Sequence, residues 1–276
     1  MAALTAGSGV VVTGAARGIG RALAARLAAE GCRVVVADVD ADELARTAGE
    51  LGAHAVPADL ATEAGVSALV EAARAELGRI DAWYGNAGID RGRGLEASEE
   101  DWAASYDVNV LAHVRAARLL VPEWVERAAQ DGPEEPHGGR FVVTASAAGL
   151  LTMVGAPAYS VTKHAVVAFA EWLSVTYRHR GVVVQAICPQ GVQTSMLERS
   201  QGLQELLSHD VALTPDQVAD AAWEAAQGDR FLVLPHPQVA GYYAARATDP
   251  DRWLGGMNRI QRRLEEQGVL TMEHTS

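Results

Sequence analysis

The chain has 276 residues, of which 49% are hydrophobic and 21% are charged. Its formal net charge is −12 and it has no basic stripe, which argues against nucleic acid as a partner. The two cysteines, Cys32 and Cys188, suggest neither a disulfide framework nor a thiolate metal site. No run approaches the ~18 apolar residues of a membrane span, and residues 1–8 lack the pattern of a secretion signal. We therefore expect a cytoplasmic protein with no metal and no membrane contact.

The length suits one domain with a full core and leaves little room for a second. Alanine-rich helical stretches alternate with Val, Ile and Leu runs along the whole chain. This alternation is typical of a parallel sheet with helices on both faces. The prediction is a single α/β domain over residues 1–276.

The first strand and the turn after it form the strongest local motif, GVVVTGAARGIG over residues 9–20. Continuous apolar residues at 10–12 predict a strand covered on both faces, and residues 21–30 predict a helix. Gly14, Gly18 and Gly20 have no Cβ, so a phosphate can approach the amides at the start of that helix. The expected ligand is a pyrophosphate, although a glycine-rich turn alone is also compatible with an ordinary loop.

The second predicted strand, residues 33–37, ends in Asp38. Dinucleotide-binding folds place the acid that binds the adenosine ribose at about this distance from the glycine turn. Asp40 is expected to cap a helix reaching residue 49, and residues 53–56 to form a third strand. Asp59 and Leu60 follow, and from the residues alone Asp59 can be an ordinary acidic residue of a loop. The next predicted helix is capped by Thr62 and reaches residue 77.

The fourth predicted strand, residues 80–84, leads into four small residues at 85–88, where the backbone can pass close to a flat ring or a ribose. The polar loop 89–95, which contains Arg91 and Arg93, is either a solvent loop or the rim of a substrate site. Ser98 and Asp101 form a capping box, so a long helix is expected to begin there and to carry Asn109 toward residue 130. Asparagine is disfavoured inside helices, so Asn109 is either a tolerated kink or a functional residue. Residues 131–139 predict a surface loop.

The fifth predicted strand, residues 140–145, delivers Ser146 at its carboxyl end, where ligands bind in open parallel sheets. Tyr159 and Lys163 are four positions apart on a predicted helix and so share one face. A Tyr-x-x-x-Lys pair alone is common. Its combination with a serine at a strand end, the glycine turn and Asp38 is not.

Together these motifs resemble the short-chain dehydrogenase/reductase family over residues 7–235. The matching positions, in order and spacing, are residues 13–20 (TGAARGIG), Asn86-Ala87-Gly88, Asn109, Ser146, Tyr159 and Lys163. The resemblance implies a Rossmann-type, doubly wound α/β fold with a seven-stranded parallel sheet. It also implies a nicotinamide-dependent oxidoreductase.

By this resemblance, Tyr159 is the general acid and base, and Lys163 lowers the pKa of Tyr159 and holds the nicotinamide ribose. Ser146 hydrogen-bonds the substrate oxygen, and Asn109 positions a water that links Lys163 to solvent. Asp59 and Leu60 lie beside the adenine, and Val192 and Thr194 contact the carboxamide. The complete set of expected cofactor-binding residues is Gly14, Arg17, Gly18, Ile19, Gly20, Asp38, Asp59, Leu60, Asn86, Ala87, Gly88, Tyr159, Lys163, Val192 and Thr194.

The expected cofactor is NAD, because a 2′-phosphate would face the like charge of Asp38. Arg17 is a counterargument, since a basic residue at this position can meet the 2′-phosphate of NADP. Two positions depart from the family pattern. Gly85 stands where the family has asparagine, which puts local stability in doubt. Gln190 follows Pro189 where the family has glycine, and it either hydrogen-bonds the nicotinamide or substrate or shifts the turn by one position.

The remaining chain predicts a sixth strand at 181–187, a variable lid at 195–210, a helix opened by Thr214 and Pro215, and a seventh strand at 231–234. The expected apolar face of the lid comprises Met196, Leu197, Leu203, Leu206 and Leu207. Leu150, Leu151, Met153 and Val154 line either the pocket or the core. Residues 236–276 extend beyond the family core and predict one or two amphipathic helices, which pack either on their own subunit or on a partner's pocket.

These expectations combine into an NAD-dependent oxidoreductase that interconverts a small or medium apolar secondary alcohol and a ketone. A homotetramer is expected from the resemblance. The alternatives are a dinucleotide-sensing protein without turnover, which often lacks the Tyr or Lys that this chain keeps, and an NADP-dependent carbonyl reductase.

Overall fold

A computed structural model describes residues 3–131, 138–199 and 212–270. Its centre is a seven-stranded, entirely parallel sheet in the order β3-β2-β1-β4-β5-β6-β7. The strands are β1 (Gly9–Thr13), β2 (Arg33–Asp38), β3 (His54–Pro57), β4 (Ala82–Gly85), β5 (Gly139–Thr144), β6 (Val182–Ile187) and β7 (Leu232–Val233). The order reverses between β1 and β4, and this reversal opens a crevice at the carboxyl ends of the strands.

Helices cover both faces of the sheet, and two buried apolar clusters lie on its two sides. The helices are α1 (Gly18–Ala29), α2 (Ala41–Leu51), α3 (Glu63–Leu77), α4 (Glu99–Tyr106), α5 (Ala112–Asp131), α6 (Ala148–Leu151), α7 (Pro157–Tyr177), α8 (Ser195–Arg199), α9 (Pro215–Ala226), α10 (Gln238–Thr248) and α11 (Pro250–Glu266). Because both faces are covered, the strands are continuously apolar, and residues 10–12 and 34–37 are buried.

Side chains predicted to cap helices do so. Asp40, Thr62 and Thr214 each accept a hydrogen bond from the backbone amide three residues later. Ser98 and Asp101 form a reciprocal capping box at the start of α4. These contacts satisfy amides that have no partner within the helix, and they explain why the helix starts were readable from the sequence.

Several boundaries differ from the predictions. Helix α1 begins at Gly18, three residues earlier than predicted, so the third glycine of the motif lies inside the helix. Strand β5 ends at Thr144, which leaves Ser146 two residues beyond the sheet, and β7 has only two residues. The predicted long helical stretch through Asn109 is present from Glu99 to Asp131, but it contains an unpredicted π-helical turn, Asp107–Leu111, between α4 and α5.

The C-terminal extension is helical, as predicted, and it packs on its own chain. Arg246 of α10 donates a hydrogen bond to the Leu150 carbonyl oxygen, and Trp253 of α11 packs against the core. Among the three described stretches of the chain, no helix is long and apolar enough to cross a membrane. The predicted lid residues Leu203, Leu206 and Leu207 and most of the predicted 131–139 loop lie outside the described residues.

Candidate active site

The glycine turn closes tightly over the carboxyl ends of β1 and β4. Gly14 and Gly18 have φ angles of 63° and 57°, in the left-handed region that favours glycine. A Cβ on Gly20 would lie 2.0 Å from the Gly14 carbonyl oxygen, so this glycine serves close packing between the helix and the turn. Arg17 stands at the N-cap of α1 and offers no acceptor to the first helical amides. Those amides and the helix dipole suit an anion such as a pyrophosphate.

Asp38 lies at the end of β2 and is held by the same turn. Its carboxylate accepts hydrogen bonds from the backbone amides of Ala16 and Asp40, both at 3.1 Å. The side chain lines the central cavity, and its remaining lone pairs are available to hydroxyl donors. The Arg17 guanidinium is paired with the Asp40 carboxylate.

Asn86 and Thr13 tie β4 to β1. The Asn86 side-chain amide donates to the carbonyl oxygens of Thr13 and Gly14, at 3.1 and 3.2 Å. The Thr13 hydroxyl accepts from the backbone amides of Asn86 and Ala87. The strand connection that Gly85 had put in doubt is thus supplied by its neighbours.

Ser146, Tyr159 and Lys163 meet at the carboxyl end of β5. The Ser146 hydroxyl accepts a hydrogen bond from the Ala148 amide at 3.0 Å and is near enough to Tyr159 to favour a lower pKa of that phenol. Lys163 Nζ donates to the Thr144 carbonyl oxygen at 2.9 Å and lies 5.5 Å from the centre of the Tyr159 ring. The three side chains predicted from spacing therefore form one cluster, and all of them line the cavity.

Burial dominates the protonation of this cluster. It raises the pKa of Tyr159 to about 12, while the nearby Ser146 hydroxyl acts in the lowering direction. It lowers the pKa of Lys163 to about 8. From the sequence we expect Lys163 to lower the pKa of Tyr159. In the protein alone the pKa is raised instead, because burial disfavours the charged phenolate.

Asn109 lies next to the cluster, in the π-helical turn, and is fully buried. Its Oδ1 accepts from the Ile89 amide at 2.8 Å, and its Nδ2 donates to the Ile89 carbonyl oxygen and to Thr162 Oγ1. It joins the loop after β4 to α7, the helix that carries Tyr159 and Lys163. Asn109 and Gly20 are the two expected site residues that do not line the cavity.

The cavity has a volume of about 1430 Å³ and unites the other expected site residues. Asp59 and Leu60 line it, as do Val192 and Thr194, and the Thr194 methyl group would lie 3.3 Å from a Cβ on Gly18. The apolar part of the wall includes Leu151, Met153, Val154, Met196 and Leu197, whereas Leu150 belongs to the core. Loop residues 89–91 and Arg93 also line the cavity, which favours the rim over the solvent loop as the interpretation of residues 89–95.

Gln190 lies on the cavity wall with its backbone amide donating to His236 Nδ1 at 3.1 Å. Its side-chain Oε1 is buried and has no hydrogen-bond partner among the described residues. A buried acceptor of this kind is favourable only when a donor reaches it. The alternative in which Gln190 hydrogen-bonds a ligand fits this geometry better than a simple shift of the turn.

Sequence reasoning left open whether the extension packs on its own subunit or on a partner's pocket, and it did not identify which residues reach the cavity. Residues of α10 and α11, with Asp249 between the two helices, form one wall of the cavity, namely Tyr242, Ala245, Thr248, Asp249, Arg252, Trp253, Gly256, Met257, Arg259, Ile260 and Arg263. The apolar periodicity of residues 253, 257 and 260 signalled a buried helix face. It carried no information about what that face covers.

A doubly wound parallel sheet with a glycine turn, an acid at the end of β2 and a Ser-Tyr-Lys cluster is the arrangement of dinucleotide-dependent oxidoreductases of hydroxyl and carbonyl groups. The chain belongs to the short-chain dehydrogenase family, whose model matches residues 8–204. The resemblance drawn from the sequence is thereby confirmed, together with the fold class.

Characterised relatives support the same class. The chain is 39% identical to 1-deoxy-11-beta-hydroxypentalenate dehydrogenase of Streptomyces exfoliatus over 234 residues, which are 81% of each chain. It is 32% identical to the oxidoreductase UcpA of Salmonella typhimurium, over 92% of each chain. A short-chain dehydrogenase/reductase from Burkholderia phymatum, solved in complex with NAD, has a TM-score of 0.78 and 30% identity over 91% of this chain and 96% of that one.

Proposed function

We propose that this enzyme uses NAD to interconvert a secondary alcohol and a ketone, with Tyr159 as the general acid and base. The observation that carries the proposal is the cluster of the buried Ser146 and Lys163 with Tyr159 on the cavity wall, in which Lys163 Nζ lies 5.5 Å from the centre of the Tyr159 ring. The hydroxyl-bearing substrate in the name of the Streptomyces exfoliatus relative supports it. Bound NAD or NADH supplies the hydride acceptor or donor.

In the direction of reduction, Tyr159 donates its proton to the substrate oxygen, and Ser146 hydrogen-bonds that oxygen. Tyr159 is protonated at neutral pH because its pKa is about 12, which suits this direction. In the direction of oxidation, Tyr159 must accept the alcohol proton. The Lys163 ammonium and the positive charge of an oxidised nicotinamide both favour the phenolate that this step requires.

Lys163 also holds the nicotinamide ribose, and Asn109 fixes the surrounding backbone and orders a water that leads from Lys163 to solvent. Asn109 does not line the cavity itself, so it acts through its hydrogen bonds to Ile89 and Thr162. The glycine turn holds the pyrophosphate, Asp59 and Leu60 flank the adenine, and Val192 and Thr194 hold the carboxamide.

NAD is favoured over NADP by the charges around Asp38. A 2′-phosphate would face the Asp38 carboxylate, and the basic residue that would compensate it, Arg17, is paired with Asp40. At matched subsaturating concentrations we expect faster turnover with NAD. Faster turnover with NADP would instead favour an NADP-dependent carbonyl reductase.

Replacing Tyr159 by phenylalanine separates an enzyme from a dinucleotide sensor. The change removes one oxygen and keeps the ring, so Tyr159→Phe is expected to retain NADH binding and to lose turnover by at least about a hundredfold. NADH absorbance with a panel of secondary alcohols and ketones gives the rates, and NADH fluorescence gives the binding. Tyr177→Phe, a change remote from the cavity, is the matched control. Unchanged turnover in Tyr159→Phe contradicts the proposal.

A further inference from the structure

The last helix presents a basic face to the cavity. Arg252, Arg259 and Arg263 of α11 line the cavity at intervals of seven and four residues, so they share one side of the helix. Arg262, on a different side, is paired with Glu266 at 3.7 Å and does not line the cavity. All three arginines are exposed, so they lie at the solvent-facing edge of the cavity.

The extension that carries this face contacts the chain between Ser146 and Tyr159. Arg246 of α10, the preceding helix, donates to the Leu150 carbonyl oxygen and lies 3.0 Å from His164 Nε2. Four residues beyond the end of α11, a methyl carbon of Leu270 would lie 2.7 Å from a Cβ on Gly155. The extension thus contacts the segment that connects Ser146 to Tyr159 at two points. The adenosine end, marked by Asp38 and Asp59, lies on the other side of the crevice.

Protein carboxylates do not neutralise these three arginines. No ion pair joins Arg252, Arg259 or Arg263 to an acidic side chain in the part of the chain that the structure describes. The nearby cavity acids have other partners, since Asp90 binds the Arg93 guanidinium at 2.7 and 2.9 Å and Asp249 accepts the Arg252 backbone amide. In a chain of net charge −12, this leaves a local excess of positive charge at the cavity.

The cavity that these arginines line also has apolar lining residues and contains the Ser-Tyr-Lys cluster; the apolar residues are Leu151, Met153, Val154, Met196 and Leu197. A ligand that satisfies both parts of the wall has an apolar body and an anionic end. The guanidinium fork matches a carboxylate well. We propose that the substrate is an apolar alcohol or ketone that carries a carboxylate, which the arginines of α11 bind. This inference rests on the proposed function and names its substrate class.

The test compares octanoate with the neutral octanamide, each titrated calorimetrically into the enzyme saturated with NADH. Octanoate is expected to bind more tightly than octanamide to the unaltered enzyme. The triple variant Arg252→Gln, Arg259→Gln, Arg263→Gln is expected to weaken octanoate binding by about tenfold, since three exposed charge pairs each contribute modestly. Octanamide binding is expected to change less than about twofold. Glutamine is nearly as good a helix former as arginine, so α11 is retained, which circular dichroism checks.

Arg262→Gln is the matched control, because it removes a charge from the same helix outside the cavity, and it is expected to leave octanoate binding unchanged. Equal binding of octanoate and octanamide overturns the inference, as does an equal loss in Arg262→Gln. Weaker NADH binding by the triple variant also overturns it, because the arginines would then serve the cofactor phosphates. The turnover of Tyr159→Phe tests the proposed function separately, because that measurement does not depend on how octanoate binds.

Discussion

At the scale of single residues, Gly85 and His113 form a fitted pair. A Cβ on Gly85 would lie 2.4 Å from His113 Nδ1, a separation that atoms in proteins do not adopt. His113 is 3% exposed, and burial lowers its pKa to about 3, so the ring is neutral. The departure from the family pattern at Gly85 is therefore explained by a bulky partner on the neighbouring helix. The sequence revealed the departure, but the partner is 28 positions away and carries no local signal.

The steric fit makes Gly85→Ala destabilising, by about 1–3 kcal/mol, because the buried ring has little room to move. His113→Ala removes the ring that the new methyl group would overlap. In the His113→Ala background, the loss of unfolding free energy caused by Gly85→Ala is therefore expected to be much smaller. Urea unfolding of the four proteins measures the coupling. Gly49→Ala is the control, since Gly49 lies within α2 with open space around it, and this change is expected to stabilise slightly. Equal costs of Gly85→Ala in both backgrounds would contradict the steric explanation.

At the scale of secondary-structure elements, the π-helical turn determines what Asn109 reaches. The sequence predicted the helix and the unusual asparagine within it, because both follow from composition and capping. It did not predict the wide turn, because neither composition nor capping marks the place where an extra residue enters a helix. Within this turn Asn109 makes three hydrogen bonds, two to Ile89 and one to Thr162.

Asn109→Asp tests this connection, since it keeps the shape and removes both donated hydrogen bonds. A carboxylate oxygen would then face the Ile89 carbonyl oxygen in a fully buried position. We expect a loss of stability of about 2 kcal/mol or more, measured as a lower melting temperature. Asn258→Asp on the exposed side of α11 is the control and is expected to have little effect. Equal melting temperatures of Asn109→Asp and Asn258→Asp would contradict the role of Asn109 in joining the loop to α7.

At the scale of the whole molecule, the sheet was predictable and the packing of the extension was not. Continuous apolar strands such as residues 10–12 require cover on both faces, and the glycine turn fixes the crevice, so the fold class and the Ser-Tyr-Lys cluster followed from the sequence. The helices after β7 have a clear apolar side, but amphipathicity states only that a face is buried. The arginines of α11 therefore became interpretable only once the cavity was visible.

The outer surface also carries apolar residues on the elements that bear Asn109 and Tyr159. Val175 and Trp172 of α7 are 82% and 54% exposed, and Tyr106 and Leu111 beside the π-helical turn are each 38% exposed. A homotetramer, which we propose, would bury such surfaces. Light scattering is expected to give the mass of four chains, and Val175→Asp a smaller species. Leu95→Asp, at a 99% exposed loop position, is expected to leave the mass unchanged. A monomeric mass for the unaltered protein would contradict the assembly.

The contact between Leu270 and Gly155 links the far end of the chain to the loop that precedes Tyr159. Residues 238–270 therefore supply part of the cavity wall without contributing a strand of the sheet or a member of the Ser-Tyr-Lys cluster. Mutagenesis libraries confined to their codons would vary that wall while leaving the codons of the strands and of the cluster unchanged.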